Sequence, residues 1–267
     1  MDYIKTLILG IVEGISEWLP ISSTGHMILV NEFMKTKDSF LTTDLFLYVI
    51  QLGAILAIVT LYFHKLNPFA PSKSKEEQKN TWHMWFKVAV ACMPAAVIGL
   101  LLDKQMAYFE NPWVISAMLI LYGIGFLIIE RMNKKAGIQE MNQMTYKTAV
   151  FIGLFQVLSI IPGTSRSGAT ILGAMLLGCS RGVAAEFSFF LAIPVMFGVS
   201  LLKLVTNDYV MTGTEWGLLL LGMVVAYLVS MAAVKFLVDY VKRHDFKVFG
   251  WYRIVLGVIV IAYFLIF

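Results

Sequence analysis

Residues 10–26 read GIVEGISEWLPISSTGH: two carboxylates (Glu13, Glu17), three successive hydroxyls (Ser22, Ser23, Thr24) and a histidine (His26) interrupt an otherwise apolar run. Residues 153–168, GLFQVLSIIPGTSRSG, follow nearly the same plan. A glycine leads by three residues to a polar side chain (Glu13 or Gln156), by three more to a serine (Ser16 or Ser159), then to a proline and a hydroxyl cluster. With one residue deleted before the proline, Pro20-Ile-Ser-Ser-Thr aligns with Pro162-Gly-Thr-Ser-Arg. Backbone broken at membrane depth is tolerated only where protein or a water-filled cavity covers it. Residues 3–33 and 147–180 are therefore expected to be re-entrant hairpins, helix in, polar turn, helix out, with the functional site where the two turns meet.

The rest of the composition agrees with a bilayer as solvent. Of 267 residues, 59% are hydrophobic and 14% charged, and the mean hydropathy is +0.77, whereas a soluble domain is about a quarter charged. Long apolar runs without alternation of period two predict an all-α integral membrane protein rather than a barrel. The opening residues resemble a signal peptide in length, but Glu13 and Glu17 fall inside the apolar stretch and no small-residue cleavage site follows, so the N-terminus is expected to be retained. Cys92 and Cys179 sit in apolar segments without metal-ligand spacing and read as small core residues. A net charge of +4 calls for no nucleic-acid partner.

Six segments are long enough to span, about 44–63, 83–102, 112–130, 185–205, 215–237 and 250–267. Loops 64–82, 131–147 and 235–247 each hold four Lys or Arg, 103–111 holds one and 206–214 none. The positive-inside rule makes the first three cytoplasmic. That threading closes only if residues 147–180 return to the side they entered, and it leaves both termini outside. Each half is then one hairpin and three spans in opposite orientation: a single membrane domain, 1–267, built of an inverted repeat, about 1–130 and 147–267. A second landmark keeps register, since Pro20 to Asp44 and Pro162 to Glu186 are each 24 residues. Inverted repeats place sites at the repeat interface, where broken-helix N-termini point at anionic groups.

Glu13 and Glu17 share a helix face, and carboxylates in a membrane segment are costly enough to signal function. The pair suits a divalent cation that keeps water and binds phosphate oxygens, or one carboxyl acts as a proton carrier. His26 offers a general acid or base, or a nucleophile at phosphorus. Ser22, Ser23 and Thr24 alone are weaker signals, because hydroxyls after proline commonly cap helices. The second turn adds Arg166 within Gly163-Thr164-Ser165-Arg166-Ser167-Gly168, where glycines admit an anion, hydroxyls and amides donate to it, and a guanidinium clamps it. A bridge from Arg166 to Glu13 or Glu17 is the structural alternative. Asp44 and Glu186 are expected to cap spans, Gln51 to bond between helices, Arg181 to mark the cytoplasmic end of the second hairpin, residues 67–80 to form a solvated loop, and the six tryptophans to form mostly an interfacial belt.

The motifs EGISE (13–17), PISSTGH (20–26), PGTSRSGAT (162–170) and EFSFFLAIP (186–194) make the whole chain similar to the undecaprenyl-diphosphate phosphatase, or bacitracin-resistance, family. The resemblance implies a hydrolase of the bacterial cytoplasmic membrane. It would remove the terminal phosphate of a C55 isoprenyl diphosphate, recycling the lipid carrier for peptidoglycan and other cell-wall glycans. It also implies a divalent cation, Mg2+ or Ca2+, with Glu13 and Glu17 holding it or managing protons, and a site open to the outer side. Arg166 would bind the diphosphate with Thr164, Ser165 and Ser167, and with Gly163, Ser22 and Thr24 around it. Attack would come from Ser23 with His26 as base, from His26 itself, or from water activated by Glu17 or His26. A transporter or flippase for a phosphate-bearing lipid is the rival class, drawn from the inverted repeat. Polar residues concentrated in two turns argue against a structural subunit. Dimerisation is not fixed by the sequence.

Overall fold

The computed structural model describes residues 2–34, 39–106, 109, 111–132 and 135–266. Twelve α-helices are formed among them: α1 Asp2–Ser16, α2 Ser23–Phe33, α3 Asp44–Val49, α4 Gln51–Leu61, α5 Phe63–Leu66, α6 Lys75–Met106, α7 Pro112–Arg131, α8 Tyr146–Val157, α9 Arg166–Leu176, α10 Arg181–Thr206, α11 Gly213–Arg243 and α12 Lys247–Ile266. The all-α expectation holds. Six segments are long and apolar enough to cross a membrane, with α3 and α4 forming one of them across Asp44–Leu61. Each buries only 22–50% of its apolar window against the protein. The outward faces carry side chains such as Leu121, Leu201, Val224 and Val255, a surface that needs lipid to cover it.

Helix ends depart from the hydropathy reading. α6 begins at Lys75 rather than near 83, so the expected loop at 67–80 is helical over its last residues. Ser74 starts it: its Oγ accepts from Glu77 N–H at 3.2 Å, and Glu77 Oε2 accepts from Ser74 N–H at 2.7 Å. Thr212 and Glu215 start α11 with the same reciprocal cap. Charged residues are good helix formers, so capping ends a helix where hydropathy does not. Part of the charge count fell on Lys134, which lies outside the described residues.

Both interrupted stretches form helix–turn–helix units. α1, with 15 residues, is about 22 Å long at 1.5 Å per residue. α2, α8 and α9 are shorter still, with 11, 12 and 11 residues, against a hydrocarbon core of about 30 Å. The ends of the second unit lie together, because Ile138 N–H donates to Gly178 O at 3.0 Å and Ser180 N–H to Ile138 O at 2.8 Å. At that same end Glu130 accepts from Arg181 Nε at 2.8 Å and from Phe246 N–H at 2.9 Å. One buried carboxylate thus ties α7, α10 and the start of α12.

Each unit packs on a span from the other half of the chain. α1 packs on α11 and α8 on α6, through small residues: a Cβ on Gly14 would lie 2.9 Å from Ala226 O, and one on Gly153 2.2 Å from Ala91 O. Close backbone approach of this kind is how membrane helices gain packing. Asp44 and Glu186, expected to cap, make ion pairs instead. Lys203 Nζ donates to Asp44 Oδ2 at 2.7 Å and lies 5.3 Å from the Tyr48 ring centroid. Lys65 Nζ donates to Glu186 Oε1 at 2.6 Å and lies 6.0 Å from the Phe190 ring. In each case a lysine from the other half bridges an acid and the aromatic one turn on. The tryptophan expectation fails at Trp18, which is fully buried against Phe189, while Trp82, Trp113, Trp216 and Trp251 are exposed.

Candidate active site

Each turn is built around a serine in the left-handed region, Ser22 at φ 77° and Ser165 at φ 73°, the two non-glycine residues of positive φ among those described. For a residue with a Cβ this costs about 1–2 kcal/mol, and such strain gathers at functional sites. Each serine caps the outgoing helix: Ser22 Oγ accepts from Gly25 N–H at 3.3 Å and Ser165 Oγ from Gly168 N–H at 3.1 Å. The caps place Ser22 opposite Ser165, and therefore Ser23 opposite Arg166, so the one-residue adjustment inferred before the prolines lies beyond the turns. Both serines head helices whose first N–H groups have no helical partners, a natural anion cradle.

The turns meet through Arg166. Its Nη2 donates to Glu17 Oε1 at 3.0 Å, and its Nη1 to Ser188 O at 2.7 Å. Its guanidinium lies 5.7 Å from the Trp18 ring centroid. Ser167 Oγ, buried, reaches Glu17 O at 3.1 Å and Leu19 O at 3.2 Å. On the other oxygen of Glu17, Ser23 Oγ donates to Oε2 at 2.6 Å. One carboxylate thus joins the hydroxyl of the first turn to the guanidinium of the second. Arg166 pairs with Glu17 rather than Glu13, and its Nε remains buried without a hydrogen-bond partner.

Glu13 lines a cavity of about 300 Å³ with Ser23, Thr24, Glu32, Asp44 and Gln51. Its Oε1 is buried and unpartnered. An orphaned carboxylate oxygen one helical turn from Glu17 fits a cation, since isolated buried charge is otherwise costly. Among the described residues no three His, Cys, Asp or Glu cluster, so these two carboxylates would need water and phosphate oxygens to complete a coordination shell.

The remaining candidates divide. Thr24 is exposed in the cavity, while Ser22 is buried in its cap. Gly163, at φ +89°, holds the turn against α7, where a Cβ would meet Ile115 O at 2.5 Å. Thr164 is wholly buried with Oγ1 unpartnered, behind the turn rather than open to solvent. His26 is turned away from Ser23: Nδ1 donates to Ser22 O at 2.7 Å, and Nε2 of the neutral ring accepts from Tyr252 OH at 2.6 Å.

Tyr252 and Arg253 are the residues sequence reasoning missed. Arg253 is fully buried, and its donors all reach carbonyls: Pro20 at 3.2 Å, Gly163 at 2.8 Å, Thr164 at 2.9 Å, Met118 and Leu119 at 3.4 Å. An arginine inside the apolar run 250–267 was the available signal, because intramembrane charge marks function.

A larger cavity of about 850 Å³ lies among Lys65, His83, Lys87, Gln139 and Lys242, and includes no residue of either turn. The smaller cavity reaches Glu13, Ser23 and Thr24 of the first unit.

The family described as bacitracin resistance protein BacA matches residues 6–259. A protein of Enterococcus faecalis named undecaprenyl-diphosphatase is 57% identical over 98% of this chain and 97% of its own. One of the same name from Latilactobacillus sakei is 56% identical over 98% of each, and one from Desulfitobacterium hafniense 56% over 99% of this chain and 96% of its own.

Proposed function

The chain belongs to the bacitracin resistance protein BacA family, and on that premise we propose that it is an undecaprenyl-diphosphatase, a phosphoric anhydride hydrolase. It takes the terminal phosphate from undecaprenyl diphosphate and returns the monophosphate to cell-wall glycan synthesis. The observation that carries the reading is Glu17, held at once by Ser23 Oγ at 2.6 Å and Arg166 Nη2 at 3.0 Å.

The chemistry follows from those contacts. Phosphoryl transfer asks a protein chiefly for positioning and charge neutralisation. The head group enters between the helix starts of α2 and α9, and Arg166 turns from Glu17 to the terminal phosphate. Ser23 Oγ attacks phosphorus while Glu17 takes its proton; the P–O bond to the lipid phosphate breaks, and undecaprenyl phosphate leaves with the bond's electrons. Water then opens the phosphoserine, releasing inorganic phosphate and restoring the hydroxyl. His26 is held apart from Ser23 by its bonds to Ser22 and Tyr252, so Glu17 is the better base. Glu13 and Glu17 would hold a divalent cation, Mg2+ or Ca2+, which when bound neutralises diphosphate charge.

The prenyl chain stays in lipid while the head group occupies the cavity. The two helix–turn–helix units are re-entrant hairpins of an inverted repeat, about 1–130 and 147–267, in one membrane domain. The reciprocal lysine bridges, Lys203 to Asp44 and Lys65 to Glu186, support that reading. The membrane is the bacterial cytoplasmic one. The cavity of Glu13 shares its end with Asp44 and Thr42, away from the Lys-rich loops, which favours access from the outer side. Both turns come from one chain, so a homodimer is not needed for the chemistry.

The test is phosphate release by the purified, detergent-solubilised chain from a long-chain prenyl diphosphate, with and without EDTA. Metal-dependent release supports the hydrolase. Tight binding without release would favour a lipid transporter, the class that an inverted repeat also suggests.

A further inference from the structure

We propose that Arg253 is a positioning residue for this reaction, a buried fork that fixes the two turns relative to each other and aims the second turn's backbone at the diphosphate; the proposal rests on the hydrolase reading above. Arg253 touches neither Glu17 nor Ser23. Its guanidinium collects carbonyls from three segments that are otherwise separate in sequence. Pro20 belongs to the first turn, Gly163 and Thr164 to the second, and Met118 and Leu119 to α7. The Tyr122 ring lies 5.6 Å away, and no carboxylate takes part in these contacts. A buried cation satisfied wholly by carbonyls is an expensive way to join helices, and its place between the two turns gives that expense a purpose.

Peptide planarity gives the mechanism. The C=O of one residue and the N–H of the next belong to one rigid unit and point in opposite directions. Arg253 Nη2 holds Thr164 C=O at 2.9 Å, so the Ser165 N–H is directed to the other side of the turn. That residue is the left-handed cap of α9, and the next is Arg166. The fork thus sets the peptide from which both the cap and the phosphate-binding guanidinium follow. Its bond to Pro20 C=O at 3.2 Å sets the first turn, three residues before Ser23, against the same frame. Gly168 keeps room for it, since a Cβ there would stand 3.1 Å from Arg253 Nη1 and 3.2 Å from Ser165 Cβ.

Arg253→Lys keeps the charge but replaces a planar five-donor fork by three donors on a single nitrogen, which cannot reach all five carbonyls spread over the fork. With the full chain in detergent and a prenyl diphosphate substrate, kcat per folded protein is expected to fall about 100-fold while KM stays within about 3-fold, because small misplacements of reacting groups cost rate more than binding. The folded fraction is measured alongside by size exclusion and circular dichroism. Gly168→Ala, which pushes the fork aside with its charge in place, should lower kcat by about 10-fold or more by the same effect. If Arg253→Lys does not fold, Gly168→Ala decides alone. Near-native kcat in the variant that folds overturns the proposal, as does a loss of activity that only tracks the folded fraction. If the native chain itself releases no phosphate, it is the hydrolase reading that fails, before Arg253 is in question.

Discussion

Arg166 and Glu17 are 149 residues apart in the chain and 3.0 Å apart at Nη2 and Oε1. The contact crosses from the second turn to the first and is shielded from solvent, with side chains 11% and 7% exposed. A guanidinium so placed makes two directional bonds at once, to Glu17 and to Ser188 O. Lysine cannot reproduce that fork. Arg166→Lys is expected to lower kcat/KM about 100-fold or more, the cost of losing one preorganised donor to a phosphoryl group. Steady-state phosphate release measures it; a loss below about 3-fold would show that charge alone suffices.

Ser23 makes the 2.6 Å hydrogen bond to Glu17 that a nucleophile makes to its base. Quenching the native chain in neutral detergent denaturant, which preserves phosphoserine and phosphohistidine alike, with substrate labelled in its terminal phosphate should leave label on Ser23. Ser23→Ala should carry none and lose on the order of 1000-fold in kcat. Label recovered on His26 instead would assign the attack to the imidazole.

The orphaned Oε1 of Glu13 predicts its share in a cation site. EDTA should abolish turnover, and Mg2+ or Ca2+ should restore it. Glu13→Gln should raise the cation concentration needed for half-maximal rate about 10-fold or more, as loss of one of two charged ligands implies. An unchanged cation dependence would remove Glu13 from that role.

Glu130 and Asp239 both form ion pairs, and burial separates their consequences. Glu130 is 2% exposed and holds Arg181 and the Phe246 N–H together, whereas Asp239 and Lys242 are 75% and 64% exposed. Glu130→Ala is expected to destabilise by about 3 kcal/mol, and Asp239→Ala by far less, because an exposed pair is screened by solvent. Thermal unfolding in detergent compares them; equal shifts would contradict the ranking.

The sequence carried the fold well, because the bilayer leaves few solutions: six apolar runs became six span-length helices, and the two interrupted stretches became short helix pairs. What it could not carry was the choice among neighbours. Glu13 and Glu17 share a helix face, so only tertiary distance assigns Arg166 to Glu17. The hydroxyls of Ser22 and Ser23 are adjacent and chemically alike, yet a positive φ turns the first into a cap and leaves the second free to reach Glu17. The sequence leaves His26 open as base, nucleophile or activator of water, and in the fold its ring is held by Ser22 and Tyr252. Arg253 acts across more than 80 residues of separation to each turn, a relation no local pattern expresses.

Whether the two turns form one catalytic site is decided by a double-mutant cycle on Glu17 and Arg166. Glu17→Gln, Arg166→Ala and their combination would be compared in kcat/KM for prenyl diphosphate hydrolysis. Strong non-additivity is expected, the double variant lying within about 3-fold of the worse single one, because groups acting as a unit are lost together. Losses that multiply would mean that the turns act independently and do not form one site.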